Sequence, residues 1–167
     1  MTIRKGRKSD IKAIMKILEN AVPLMNSAGN FQWDSTYPNE NVFEKDIEEG
    51  QLWVVEIEET LAGFAAITTD QEPEYADAGW DINEVSIVTH RLAVDPKYRG
   101  MGVGYLLLNK AEDLAKSRGI NFLRIDTNTN NTATQKLFPK CGYMFCGEIS
   151  LKFRPGLRFY CYEKIIK

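Results

Sequence analysis

The segment Arg99-Gly100-Met101-Gly102-Val103-Gly104 places three glycines at alternate positions between an apolar run and an amphipathic stretch. The run Leu92-Ala93-Val94 precedes the segment through a short turn, and apolar residues at helical spacing follow from Gly102 to Gly119. A strand, a turn and a helix are therefore predicted in that order. Because glycine costs about 1 kcal/mol relative to alanine inside a helix, packing alone would not favour this arrangement.

Backbone amides at the start of the predicted helix provide a physical use for these glycines. The first amides of a helix have no helical partner, and the helix dipole adds about half a positive charge at that end. Without side chains in the way, an anion can approach those amides closely. Arg99 adds a full charge, so the segment predicts a site for a pyrophosphate group.

Three known phosphate-binding patterns can be compared with this segment. A P-loop requires Gly-x-x-x-x-Gly-Lys-Ser/Thr, which the chain lacks. A Rossmann loop requires Gly-x-Gly-x-x-Gly, but Leu107 stands at the position of its third glycine, and only one clear crossover follows. A third pattern, Arg/Gln-x-x-Gly-x-Gly/Ala, is matched by Arg99, Gly102 and Gly104.

Periodicity along the chain predicts a mixed sheet flanked by helices, without a repeat or a dividing linker. Pro23 suggests a kink or an early end of the first helix, and Pro139 should disrupt the last turn of the fourth. Clustered strands with one strand–helix–strand crossover favour this architecture. The predicted strands are residues 2–5, 52–57, 61–69, 84–94, 120–126, 143–151 and 157–165, and the predicted helices are residues 11–25, 41–49, 102–119 and 131–138.

The third pattern, on a strand, turn and helix, resembles the GNAT superfamily of N-acetyltransferases. The resemblance extends to Asp126-Thr127-Asn128 at a strand end and to the segment from Asn131 to Phe138 at the start of the next helix. Lys140-Cys141-Gly142-Tyr143 looks like the Lys-Leu-Gly-Phe string of that family. The resemblance implies one α+β (α/β/α) domain over residues 1–167. Its mixed, largely antiparallel sheet would splay at an acetyl-CoA cleft and be flanked by helices.

The resemblance also implies where acetyl-CoA would bind. The backbone of Leu92 and Val94 should pair with the pantetheine arm, with the Val94 amide near the thioester carbonyl. The amides from Arg99 to Gly104 should hold the pyrophosphate, and Asn131 and Phe138 should lie along the pantetheine and near the sulfur. The residues expected to bind the cofactor are Leu92, Ala93, Val94, Arg99, Gly100, Met101, Gly102, Val103, Gly104, Asn131 and Phe138. No metal is expected.

The catalytic groups cannot be assigned from the sequence. Many family members have a tyrosine where this chain has Phe138, and phenylalanine cannot protonate the leaving thiolate. Tyr143 is the first substitute considered, with Tyr160 and Cys141 also open. An amine acceptor must lose a proton before attack, and Glu84 and His90, in or beside the strand that lines the cleft, are candidate bases. A purely structural role is open for each of these residues.

The acceptor site is expected in the aromatic loop that follows the first helix. Gln32, Trp33 and Tyr37 would form rigid, partly apolar walls, although the same aromatic residues could instead form a small core under the loop. Arg91 could pair with a carboxylate of the acceptor, or with a carboxylate across the sheet.

Composition narrows the partners. The formal net charge of −2 gives no basic surface for nucleic acid, and no apolar run approaches the ~20 residues that span a bilayer. The three cysteines form no Cys-x-x-Cys pair, so a reduced, cytoplasmic setting is expected.

An N-acetyltransferase that modifies a small-molecule or peptide amine by direct attack is therefore the predicted function. A non-catalytic acyl-CoA sensor on the same fold is the alternative, and a nucleotide-binding protein is the third hypothesis. The acceptor is not identified by the sequence, and a homodimer is left open.

Overall fold

One seven-stranded sheet runs through the computed structural model, which describes residues 1–166. The predicted domain ends at Lys167, outside the described residues. The strands are β1 (Thr2–Lys5), β2 (Leu52–Ile57), β3 (Thr60–Thr68), β4 (Ser86–Val94), β5 (Phe122–Asn128), β6 (Met144–Ser150) and β7 (Arg158–Ile165). The helices are α1 (Ile11–Ser27), α2 (Glu40–Glu48), α3 (Val103–Arg118) and α4 (Thr132–Lys140), with 3-10 turns at Lys8–Asp10, Pro73–Ala78 and Pro96–Tyr98.

The strand order is β1-β2-β3-β4-β5-β7-β6, and every neighbouring pair is antiparallel except β4 and β5. These two strands pair in parallel over only three positions, from Ser86 opposite Phe122 to Val88 opposite Arg124. Beyond those positions β4 remains paired with β3 and β5 with β7, so the sheet splays between its two central strands. The mixed, largely antiparallel sheet with a central splay is confirmed.

The two faces of the sheet carry separate cores. Helix α3 packs on one face through Val103, Leu107 and Leu108, and Phe138 of α4 joins the same cluster. The other face is covered by α1 and α2 at one end, and by the 3-10 turn Pro73–Ala78 at the other. The splay therefore lies between α3 and α4 on one face of the sheet and α1, α2 and the 3-10 turn on the other face.

A bulge bends β4 at the splay. Phe64 of β3 pairs with Ala93, whereas Ala66 pairs with His90, so β4 contains one extra residue in this interval. Arg91 takes up the extra length in the left-handed region, with φ of 52°. Such bulges redirect side chains beside functional sites.

The predicted elements agree with the observed ones to within about two residues, with corrections at two prolines. Pro139 was expected to disrupt the last turn of α4, but the helix continues through it to Lys140. Pro23 was expected to kink or end α1, but this helix continues to Ser27. Proline removes the hydrogen bond to the carbonyl four residues earlier, and that residue, Glu19, is exposed to water. Buried Leu18 and Val22 hold the helix against the sheet on its other side. No helix within residues 1–166 is long and apolar enough to cross a membrane.

Gly63 tests how tightly β3, β4 and α3 are packed. A Cβ atom there would lie 2.7 Å from both the Ala93 carbonyl oxygen and Val103 Cγ1. We expect Gly63→Ala to lower the free energy of unfolding by about 1–3 kcal/mol, because backbone must move. The control is Gly147→Ala in β6, where the nearest atom would be 3.5 Å away. Urea unfolding measures both; equal midpoints would contradict this account of the packing.

Candidate active site

A cavity of about 580 Å³ occupies the splay between β4 and β5. One end reaches the glycine segment before α3, and the other reaches the loop between α1 and α2. The middle is bounded by Leu92, Ala93 and Val94 on β4 and by Ile125 on β5. The cavity therefore joins the predicted coenzyme site to the predicted acceptor site.

The glycine segment presents bare backbone to the cavity. Gly100 and Gly102 have φ angles of 76° and 87°, a conformation that other residues rarely adopt, and a Cβ atom on either would point into open space. No side chain caps the N-terminus of α3, so its first amides have no partner within the helix. An anion bound there would receive these amides and the positive end of the helix dipole.

Gly104 serves packing rather than turn geometry. It lies in the first turn of α3, and a Cβ atom there would come within 2.8 Å of Leu137 Cδ2 on α4. The third glycine thus lets α4 approach α3 closely at the mouth of the cavity. Sequence reasoning had assigned all three glycines to the approach of the anion.

Met101 requires a correction. Its side chain is exposed, it does not line the cavity, and its amide donates to the Tyr98 carbonyl oxygen at 3.4 Å. The turn before α3 uses this amide internally, which leaves the neighbouring glycines to face the ligand. The other residues predicted for the cofactor line the cavity, and these are Leu92, Ala93, Val94, Arg99, Gly100, Gly102, Val103, Gly104, Asn131 and Phe138.

The inner edge of β4 offers amides to the splay. The amide of Asp95 donates to the Ala62 carbonyl oxygen at 2.8 Å, on the β3 side. Because successive strand amides point to opposite sides, the Val94 amide faces the gap. This is the orientation needed for a hydrogen bond to an extended ligand lying beside β4.

Asn131 and Phe138 form the wall on the α4 side. The Asn131 side-chain oxygen accepts from the Thr134 amide at 3.3 Å and caps α4, so its side-chain NH₂ group is the part left for a ligand. Phe138 is buried and packs edge-on against Tyr162, with ring centroids 5.3 Å apart. The wall near Phe138 is apolar at this point.

The proposed substitutes for a tyrosine at position 138 do not reach the cavity. Tyr143, Tyr160 and Cys141 are all absent from its lining. The Tyr143 hydroxyl is buried without a hydrogen-bond partner, and burial raises its pKa. Burial also raises the pKa of the Cys141 thiol. None of these three groups is placed to donate a proton to a leaving thiolate.

The two candidate bases are placed differently. His90 lines the cavity, and its Nε2 lies 3.0 Å from the Asp70 carbonyl oxygen. If Nε2 donates to that oxygen, the neutral ring keeps its lone pair on Nδ1. Glu84 lies outside the cavity, two residues before β4 at the paired end of the strand. Its expected position beside the cleft was wrong, because the splay opens at the other end of β4.

Two carboxylates at the acceptor end of the cavity escaped the sequence analysis as functional groups. Glu72, just before the 3-10 turn Pro73–Ala78, makes no side-chain hydrogen bond within residues 1–166. Burial raises its pKa; nearby His90 acts in the opposite sense and Asp126 in the same sense. Asp126 accepts from the Tyr75 hydroxyl. Burial raises the Asp126 pKa as well, although the Tyr75 hydrogen bond opposes this.

The loop between α1 and α2 covers the acceptor end of the cavity. Trp33 is buried, Tyr37 packs against Phe153 with ring centroids 5.9 Å apart, and the Gln32 side-chain oxygen accepts from the Asn128 amide at 3.2 Å. Gln32, Trp33 and Tyr37 all line the cavity, as does Phe153. Trp33 also packs in the core under α1, which is the structural role considered for it.

Arg91 lines the cavity but is already paired. Its Nε and Nη2 atoms each donate to Asp46 of α2 at 2.7 Å, and Nη1 lies 3.5 Å from the Tyr37 hydroxyl. The pairing comes from a helix rather than from across the sheet. Because Asp46 balances the charge of the guanidinium and takes two of its five donors, Arg91 is a weaker partner for a carboxylate of an acceptor than a free arginine would be.

Comparison with known proteins supports a shared fold and chemistry. A model of the acetyltransferase (GNAT) family matches residues 15–143. An uncharacterized N-acetyltransferase of Bacillus subtilis strain 168, YesJ, is 27% identical over 146 residues, covering 83% of this chain and 78% of that protein. A GNAT-family acetyltransferase from Streptococcus agalactiae 2603 is 29% identical with a TM-score of 0.84, covering 99% of this chain and 95% of that chain.

A third similarity concerns the fold alone. The structure of yncA from Salmonella typhimurium, with its cofactor acetyl-CoA, is 20% identical with a TM-score of 0.72. The match covers 100% of this chain and 94% of that chain.

Arg99 provides a test of the anion site. We expect Arg99→Ala to raise the Kd for coenzyme A about 10- to 100-fold, because a hydrogen bond to a charged group contributes about 1.5–3 kcal/mol. Arg118→Ala is the control, since it removes the same charge about 20 Å away at the other end of α3. Calorimetry measures both constants. An Arg99→Ala protein that binds like the control would refute the placement.

Proposed function

The chain belongs to the acetyltransferase (GNAT) family, whose members use acetyl-CoA, and we propose that it acetylates a small-molecule or peptide amine by direct attack on the thioester. The observation that carries the proposal is the single cavity that joins the glycine segment to the uncommitted carboxylate of Glu72. Such a cavity lets donor and acceptor meet without a covalent enzyme intermediate. The domain predicted over residues 1–167 would act as one catalytic unit.

The coenzyme would lie along the inner edge of β4. Amides of Gly100, Gly102 and the start of α3 would hold the pyrophosphate, with Arg99 adding charge. Pantetheine would extend past Asn131 toward Phe138. The Val94 amide would donate to the thioester carbonyl, and it would stabilise the oxygen as negative charge develops there during attack.

The acceptor amine would enter from the loop between α1 and α2. An amine with a pKa near ~10 is protonated at neutral pH and cannot attack until it loses that proton. Glu72 would accept this proton, because its carboxylate lines the cavity and makes no side-chain hydrogen bond within the described residues. His90 is a second candidate to accept the proton, through Nδ1, in the same part of the cavity.

The coenzyme thiolate would leave without a proton from a side chain of the protein. The amine nitrogen forms a bond to the acetyl carbon and loses its second proton to water, and the tetrahedral intermediate collapses as the carbon–sulfur bond breaks to release the coenzyme thiolate. A thiol has a pKa near ~8.5, so the thiolate is stable enough to leave and then take a proton from water. The apolar wall at Phe138 is compatible with that order of events.

Glu72→Gln tests the proposed base. We expect kcat/KM to fall by about 10²- to 10⁴-fold, because the amide cannot accept the proton, while the Kd for acetyl-CoA stays unchanged. Asp77→Asn is the control, since it removes a negative charge from an exposed position in the same 3-10 turn. Release of free thiol across a panel of primary amines measures turnover. Full activity of Glu72→Gln with loss of activity in His90→Gln would assign the base to His90 instead.

The pH profile supplies an independent check. Burial raises the pKa of Glu72, and only its deprotonated form can act as a base. We therefore expect kcat/KM to decline as the pH falls through a value above the ordinary glutamate pKa of about 4.3. That acidic limb should be missing from the residual activity of Glu72→Gln. An identical limb in the variant would show that another group titrates.

A further inference from the structure

Around the acceptor end of the cavity, two carboxylates lack a salt bridge in the part of the chain that the structure describes, whereas the nearby arginines are paired. Glu72 and Asp126 both line the cavity there, and the hydrogen bond to Asp126 comes from the neutral Tyr75 hydroxyl. Neither carboxylate forms a salt bridge within residues 1–166. Apart from His90, the cations lining the cavity are Arg91 and Arg99.

The nearby arginines are committed elsewhere. Arg91 makes two hydrogen bonds of 2.7 Å with Asp46, whose side chain is only 5% exposed. Arg154, beside Phe153, donates to the Phe31 carbonyl oxygen and to Asp34. Arg99 belongs to the glycine segment at the opposite end of the cavity. Each guanidinium therefore has its own anion or expected anion. Neither Glu72 nor Asp126 has a salt-bridge partner within residues 1–166.

Two neighbouring carboxylates that form no salt bridge within residues 1–166 favour a ligand that brings a cation. Burial raises the pKa of both groups, and the Asp126 charge raises that of Glu72 further, while His90 opposes the rise in both and Arg91 opposes it in Glu72. A bound ammonium would relieve both effects at once. A carboxylate brought close to the same place would add a third negative charge.

The walls of the chamber suit an apolar or aromatic body behind that ammonium. Tyr37 and Phe153 meet edge to face, and Trp33 and Met25 also line this end. Aromatic rings present apolar surface and attract cations through their faces. Between these walls, the side-chain NH₂ group of Gln32 makes no hydrogen bond within residues 1–166 and is available to a ligand.

We infer that the acceptor is a cationic amine with an apolar or aromatic body and no carboxylate next to the amine, recognised by Glu72 and Asp126. The inference rests on the proposed function, since it names the substrate class of the same site. It excludes free α-amino acids as preferred acceptors, because the chamber offers no unpaired guanidinium to their carboxylate.

Matched acceptors that differ only in the carboxylate test the inference. Acetyl-CoA turnover is measured by thiol release with phenethylamine against L-phenylalanine and with tyramine against L-tyrosine. We expect kcat/KM to be at least tenfold higher for the amine in each aromatic pair. An amino acid used as well as its amine would overturn the inference.

The same experiment separates this inference from the proposed function. Turnover with none of these acceptors by a protein that still binds acetyl-CoA would overturn the acceptor class and leave the coenzyme site intact. Failure to bind acetyl-CoA would overturn the proposed function itself.

Asp46→Asn should weaken the selectivity for amines over amino acids. The amide keeps an oxygen that accepts from Arg91 but removes the negative charge, so the guanidinium can attract an acceptor carboxylate. We expect the preference for phenethylamine over L-phenylalanine to fall about tenfold. Glu48→Gln is the control, since it makes the same type of change at an exposed position of α2. An unchanged preference in a folded Asp46→Asn protein would contradict the role given to the Arg91–Asp46 pair.

Inhibition of the unmodified protein does not depend on that variant folding. N,N,N-Trimethylphenethylammonium cannot be acetylated, and 3-phenylpropionate carries the opposite charge on a similar body. We expect the cation to compete with phenethylamine at concentrations at least tenfold lower than the anion. Equal inhibition, or stronger inhibition by 3-phenylpropionate, would overturn the inference.

Discussion

Hydrogen bonding between β4 and β5 ends at Val88 and Arg124, and the cavity exists because the two strands part there. Each strand continues beyond this point because its outer neighbour remains paired with it, β3 with β4 as far as Val94 and β7 with β5 as far as Asn128. The inner edges are left with unpaired amides and carbonyls. Buried backbone groups require partners, and an extended ligand supplies them in the same way as an added strand. Coenzyme binding therefore completes a sheet that the protein leaves unfinished.

Much of the fold could be predicted from the sequence because its signals are local. Helical spacing of apolar residues marked α1 and α3, and alternating or continuous apolar runs marked the strands. The glycine segment was also predicted locally, since Gly100 and Gly102 adopt positive φ angles that few other residues tolerate. The reason for Gly104 was missed, because its contact is with Leu137 on another helix. A packing contact of that kind leaves no pattern in the neighbouring residues.

The acceptor chamber was predicted less well because it is assembled from distant parts of the chain. Glu72 lies in a polar loop that gives no periodic signal, and only folding places it near Asp126 and His90. Arg91 and Asp46 are likewise brought together by the packing of α2 on the sheet. Glu84 was misplaced because its distance from the cleft depends on which end of β4 splays, and that depends on β5 and β7. Periodicity identifies a strand but not the end at which its neighbour departs.

In the proposed mechanism, Phe138 and the carboxylates suit a site that assists proton loss from the amine but does not supply a proton to the leaving thiolate. The amine must lose a proton against a pKa near ~10, whereas the thiol has a pKa near ~8.5 and can leave as its anion. A buried Glu72 has a raised pKa and so accepts a proton more readily than an exposed glutamate would. An apolar ring in place of a hydroxyl near the sulfur costs little under these conditions. The charge distribution has the same asymmetry, since positive backbone ends and Arg99 lie at the phosphate end and unmatched carboxylates lie at the amine end. In the proposed mechanism the cavity would orient its two substrates by charge before chemistry begins, with the anionic group drawn to the glycine segment and the cationic group drawn to Glu72 and Asp126.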